Sequence, residues 1–169
     1  MALKEVIKLP NPVLRRKAHK VTEFGEDFQT LVDEMIETMR HEPGVGLAAP
    51  QVNVSQRIIV VEYPEDDSIE NAPAKLFVVA NPEFKKMSDV LIKGIEGCLS
   101  VPNLLGQVER ASEVTLTGMD RRGKKITIKA KGWLARIFQH EVDHINGILF
   151  VDRAIELYQP EEIQANEKV

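Results

Sequence analysis

The chain has one cysteine, Cys98, one tryptophan, Trp133, and an aromatic content of 5% over 169 residues. A single cysteine excludes an internal disulfide framework and predicts a reducing compartment. No apolar run is long enough to span a bilayer, and Met1 to Pro10 lacks the apolar centre of a signal peptide. The expectation is a cytoplasmic protein with no membrane partner; an organelle stays open if a transit peptide has been cut away. There is no surplus of positive charge either. Lys+Arg 22 against Asp+Glu 26 gives a net charge of −4, which argues against bulk nucleic-acid binding. Repeats, low-complexity segments and linkers are missing as well. One domain over residues 1–169 is expected, with a short acidic tail from about residue 153.

What is present centres on His140-Glu141-Val142-Asp143-His144, an H-E-x-x-H pattern. Residues four apart share one face of an α-helix. Such a helix points two imidazoles at one metal ion and puts Glu141 within reach of a water beside it. Trp133, Leu134, Ile137, Phe138, Val142 and Ile145 predict a buried helix, and Gly147 is a C′ stop. The plainer alternative is a pair of core histidines beside an incidental glutamate.

Upstream, an arm broken by Pro10 and Pro12 leads to a basic cluster at Arg15 to Lys17, best read as a solvated face. The first predicted helix spans Glu26–His41, with Phe28, Leu31, Val32, Met35, Ile36 and Met39 on one stripe. Pro43-Gly44 ends it. The run Gly44 to Gln51 is small and glycine-spaced, so backbone can approach a ligand or another segment. Gln51 is either an amide donor in a buried site or a surface residue after a close-packed turn. Strands are predicted over 57–63, over 76–80 with an end at Asn81-Pro82, and weakly over 90–93. A hairpin is predicted from 108–119 and 125–131 around Asp120 to Gly123. Pro160 is placed to open a brief last helix. Cys98 lies in Gly94 to Pro102, too polar for ordinary core. A thiolate with two imidazoles makes an N₂S ligand set with one position open, the composition of a catalytic metal site.

Three stretches together resemble the peptide deformylase family: Gly44 to Gln51, Glu96 to Ser100, and His140 to His144, in that order. The resemblance covers about residues 5 to 153. It implies an α+β fold, with antiparallel β-sheets packed around a central metal-binding α-helix and an N-terminal helix. It implies Cys98, His140 and His144 as ligands to one divalent metal, Fe²⁺ first, with Zn²⁺, Ni²⁺ or Co²⁺ as other occupants. It implies Glu141 as general base and then acid, with the Gln51 amide and the Leu99 N–H meeting the oxyanion. Val45 and Gly46 would line the peptide groove, and Val45, Leu99, Trp133, Ile137 and His140 would wall a methionine pocket. The implied substrates are N-formyl-methionyl nascent peptides, and the implied products are formate and a free N-terminus.

The chain departs from the family pattern twice. Leu105 stands where many members have an arginine near the groove. The tail past Phe150 is shorter and more acidic than the basic C-terminal helix with which some bacterial members dock on the ribosome, so a ribosome contact by that route is not expected. A zinc endopeptidase of the H-E-x-x-H type is the alternative reading, but its third ligand usually follows the motif, and no histidine follows His144. A non-catalytic structural metal site would have no need of both Glu141 and Gln51.

Overall fold

A computed structural model describes residues 3–162. Two antiparallel sheets flank one helix. The larger has the order β1 (Gly46–Ala48), β2 (Ile58–Tyr63), β3 (Lys75–Met87), β6 (Glu113–Met119), β7 (Lys125–Lys131). The smaller has the order β4 (Leu91–Cys98), β5 (Val101–Ala111), β8 (Glu156–Tyr158). The helices are α1 (Glu26–His41), α2 (Gly132–Ile145) and α3 (Phe150–Arg153). This is the α+β architecture that the sequence implied.

Strand β2 explains why the larger sheet reads as an unbroken apolar run. Ile58 and Val60 face the core built with α1, while Ile59 and Val61 face the core built with α2, and all four are fully buried. A sheet covered on both faces needs apolar side chains at every position, not at alternate ones. On the α2 side Phe77 and Phe138 meet edge to face, centroids 5.3 Å apart. On the α1 side the predicted stripe is buried apart from Leu31, and Met35 and Met39 are core filler.

Three local expectations need correction. The second strand does not end at Asn81-Pro82: β3 runs through it on a bulge between Ala80 and Glu83. Asn81 takes a positive φ of 52°, and its amide bonds the backbone of Val21, which supports the irregularity. The segment 108–119 is two strands in different sheets. The chain changes sheet at Ser112, whose N–H donates to Val90 and whose carbonyl accepts from Gly132; no glycine or proline marks the switch, so the sequence reads as one run. The weak strand at 90–93 is the start of β4, which reaches Cys98. Gly44 to Gln51, for which a close-packed turn is one of two readings of the sequence, holds strand β1 and a 3₁₀ turn, Ala49–Val52. The hairpin of β6 and β7 is present as expected. Pro160 opens only a 3₁₀ turn, Pro160–Glu162, and the remainder of the acidic tail lies outside the described residues.

Candidate functional site

Helix α2 passes between the sheets, and twelve of its fourteen residues are buried. Lys131 is its N-cap, and the left-handed Gly147 (φ 75°) follows its C-cap, Asn146, as expected. Gly147 has a second reason to be glycine: a Cβ there would lie 2.7 Å from the Arg15 carbonyl. The helix spacing stacks His140 above His144, ring centroids 5.0 Å apart. Cys98, at the end of β4, completes a buried group whose ligand atoms all lie within 4.8 Å of one another. Cys98 Sγ is 3.4 Å from His144 Nε2. The third member of the cluster therefore comes from upstream, not from beyond the second histidine.

The donor set suits a metal. Glu96 Oε1 lies 2.9 Å from His140 Nδ1. A carboxylate accepts, so Nδ1 carries a proton and Nε2 is the nitrogen turned toward the cluster, where a metal would replace its proton. With no metal, burial lowers the His140 pKa, but hydrogen bonds to Cys98 and Glu96 and the charge of Glu141 raise it to about 10, and the ring is charged. That Nε2 is buried and has no hydrogen-bond partner among the described residues. Burial, then the charges of His140 and Arg110, hold His144 well below its ordinary pKa, so its ring is neutral.

Glu96 was visible in the sequence only as the first letter of a motif; the structure gives it a function. It is fully buried and grips three partners. Arg110 donates to both its oxygens, at 2.9 and 2.8 Å, and Arg136 Nη1 donates at 2.6 Å. Burial pushes the Glu96 carboxyl up, but the hydrogen bonds and charges of Arg110 and His140 outweigh it, and it lies well below the usual carboxylate range. Arg110 also reaches Asp143, at 2.7 Å. Arg136 fits because residue 94 is glycine: a Cβ there would sit 2.7 Å from the guanidinium carbon. A signal for this network was present. Arg136, Gln139 and Asp143 are polar residues on an otherwise apolar buried helix, and buried polar groups need partners. Gln139 finds its own on the Ala111 backbone, at 3.0 and 2.9 Å.

Glu141 is 1% exposed, and its Oε1 is buried without a hydrogen-bond partner among the described residues. Burial raises its pKa to about 7, against the opposing charge of His140. Its neighbour explains Gly46: a Cβ at that position would lie 2.6 Å from Glu141 Oε2. Gln51 proves to be buried, not a surface residue. Its Oε1 accepts from the Ala48 N–H at 3.0 Å, which fixes the amide's orientation. Its Nε2 then points at Ser100 Oγ (3.2 Å) and Cys98 Sγ (3.6 Å). Gln51, Cys98, His140, Glu141 and His144 thus converge, with Leu99 beside Cys98. Val45, Trp133 and Ile137 share the α2 core cluster, whereas Leu99 packs in the neighbouring one, against Gly44. Leu105 is 4% exposed and lines a cavity of about 550 Å³ beside Cys98 and Leu99.

The N-terminal arm, which the sequence offered only as an extended stretch, ties the three motifs together. Ile7 N–H donates to the Gln51 carbonyl, Leu9 N–H to that of Ser100, and Ala18 N–H to that of Ile145.

The sequence model of one family, polypeptide deformylase, matches residues 3–159. A peptide deformylase of Symbiobacterium thermophilum is 49% identical over 157 residues, 93% of this chain and 69% of that protein. One of Halothermothrix orenii is 48% identical over 157 residues, 93% of this chain and 97% of its own. Among solved structures, the peptide deformylase of Thermotoga maritima superposes with a TM-score of 0.83 at 37% identity, covering 92% of this chain and 100% of its own. A Met-Ala-Ser-bound class I type b peptide deformylase of Acinetobacter baumannii gives 0.82 at 40% identity, over 90% and 98%.

Proposed function

The chain belongs to the peptide deformylase family, hydrolases that act on N-formyl-methionine peptides through a divalent metal, and from that premise we propose which residues perform the reaction. Nothing supports the endopeptidase alternative. Cys98, His140 and His144 hold the metal. The observation that supports this assignment is their buried convergence within 4.8 Å, with His140 Nδ1 engaged by Glu96 and Nε2 turned to the cluster without a hydrogen-bond partner among the described residues.

When bound, such an ion acidifies water and draws electrons from a carbonyl. Glu141 takes the proton of the attacking water. Its carboxyl, raised to about 7 by burial, is basic enough to accept that proton and acidic enough to return it to the departing amine. The Gln51 amide and the Leu99 N–H donate to the oxygen that gains charge. Preorganisation supports the Gln51 role, because the Ala48 N–H already holds the amide's oxygen. Val45 and Gly46 flank the peptide; Val45, Leu99, Trp133 and Ile137, with the edge of His140, receive the methionine side chain. Formate and a free N-terminus leave.

Fe²⁺ is the proposed working metal, because the thiolate leaves less positive charge on the site than three neutral ligands would. Zn²⁺, Ni²⁺ and Co²⁺ suit the same donors. The chain works as one catalytic domain, in the cytoplasm, on nascent chains. Among the described residues no helix is long and apolar enough to cross a membrane. The described C-terminal segment forms strand β8 and a 3₁₀ turn bearing Glu161 and Glu162, so a basic docking helix is not the proposed route to the ribosome. Anaerobic metal analysis paired with formate release from a formyl-Met tripeptide tests the assignment. Expected are close to one metal per chain and stoichiometric formate; full metal content in Cys98→Ala would remove Cys98 from the ligand set.

A further inference from the structure

We infer that Arg153, outside the ligand set and on α3, is a positioning residue for His140. The inference rests on the metal reading above. Arg153 is the outer end of an unbroken chain of charge-assisted hydrogen bonds. Its Nε donates to Asp143 Oδ2 at 2.6 Å and its Nη2 to Oδ1 at 3.0 Å. Asp143 Oδ2 also accepts from Arg110 Nη1 at 2.7 Å. Arg110 forks both oxygens of Glu96, and Glu96 Oε1 accepts from His140 Nδ1.

The forks give this chain its stiffness. A carboxylate gripped on both oxygens by one planar guanidinium cannot rotate about its own axis. Without Arg153, Asp143 keeps a bond on one oxygen only. Its carboxylate can then swing, and Arg110 Nη1 loses a fixed target. Glu96 retains the Arg110 fork and Arg136, so the displacement that reaches His140 is small. A second contact runs the same way. Phe150, on the same short helix as Arg153, stacks on the His140 ring, centroids 6.2 Å apart and planes 18° from parallel. Arg153 therefore acts on the imidazole through Asp143 and Arg110, while α3 itself holds Phe150 against the same ring. Helix α3 keeps an independent anchor, Asp152 to Arg15, so losing Arg153 does not release the segment.

The test is the dissociation constant for Co²⁺, measured by chelator competition on wild type, Arg153→Ala, Arg153→Lys and a control, Arg40→Ala. Arg40 also forks a carboxylate, Glu62, at 2.9 and 2.7 Å, with 55% of its side chain exposed against 46% for Arg153. It lies on α1, away from the ligands. Removing a direct partner of a ligand weakens metal binding about 10–100-fold; for this outer residue a loss on the order of 3- to 10-fold is expected. Arg153→Lys, which keeps the charge and gives up the fork, should fall between, and Arg40→Ala should match wild type. The cobalt absorption bands should shift in Arg153→Ala, while KM for a formyl-Met tripeptide stays put. A wild-type constant in Arg153→Ala, an equal loss in Arg40→Ala, or full recovery with lysine would each overturn the inference. If Arg153→Ala does not fold, Arg153→Lys carries the test, and a wild-type constant there overturns it. A wild-type protein that holds no cobalt would sink the ligand assignment itself.

Discussion

The two turns of α2 that carry the imidazoles are held by different physics. The first turn is held through side chains: the His140 ring is tied to Glu96, which is tied to Arg110 and Arg136, and it stacks on Phe150. In the second turn Asp143 still belongs to that network, but the end of the turn is held through backbone. The Ile145 carbonyl accepts from the Ala18 N–H at 2.8 Å and from Arg57 Nη1 at 3.0 Å, while His144 Nδ1 is buried without a hydrogen-bond partner among the described residues. One imidazole is therefore aimed by a charge network. The other is placed by its helix and takes its ring orientation from packing, Cys98 and the ion. Damage to the network should cost metal binding; damage to the backbone anchors should cost stability.

The largest expected effect lies between the two turns. Glu141→Ala removes the proton carrier and no ligand, so activity should fall by about 10²–10⁴-fold with metal content unchanged. A variant within a few-fold of wild type would end the assignment. Gly46→Ala attacks the same group from outside, because the new Cβ displaces the Glu141 carboxylate. Misplacing a reacting group by about 1 Å costs on the order of 10²-fold, so kcat should drop by that order while metal stays bound. Wild-type kcat would mean that Glu141 has room to spare.

The network comes next. Glu96→Gln removes the carboxylate that two buried guanidinium groups share, costing about 3–5 kcal/mol of stability. It also weakens the metal about 10–100-fold by freeing the His140 ring. Denaturant titration and chelator competition read the two effects separately; unchanged metal affinity would erase the contrast between the turns. Arg57→Ala should be the mildest change, about 1–2 kcal/mol of stability for hydrogen bonds from a charged group, with metal affinity as in wild type.

The pH profile gives a further check. Glu141 must be ionised to accept a proton, and burial raises its pKa to about 7. Activity is therefore lost as pH falls through that region, and a bound cation moves the midpoint down, to 7 or below. In Glu141→Ala the acid limb attributed to this group should vanish from the residual rate. Its persistence at the same midpoint would assign it elsewhere.

Leu105 shows where a residue-by-residue carry-over stops. It lines the cavity beside Cys98 and Leu99, as the groove position suggested, but it is buried and paired with Tyr158 of β8. Its side chain has no hydrogen-bond donor, so a guanidinium contact made by family members with arginine there has no counterpart in this chain.

The sequence by itself determined the parts that local geometry controls. The spacing of His140, Glu141 and His144 fixes their relation on any helix, the stripe from Phe28 to Met39 fixes the face that α1 buries, and Cys98 was the one thiol available. Its polar setting and the order of the three motifs were legible because both are written along the chain. Only the tertiary structure decided which distant charges meet. Glu96, Arg110, Arg136 and Asp143 come from two strands and a helix, and no periodicity encodes their contact. The same holds for Gly46 and Gly94, which are glycines because the Glu141 and Arg136 side chains occupy the space a Cβ would fill. The division of residues 108–119 between two sheets was hidden for a related reason. Alternation reports which face of a strand is buried, not which strand it bonds, and no glycine or proline marks the change of partner at Ser112.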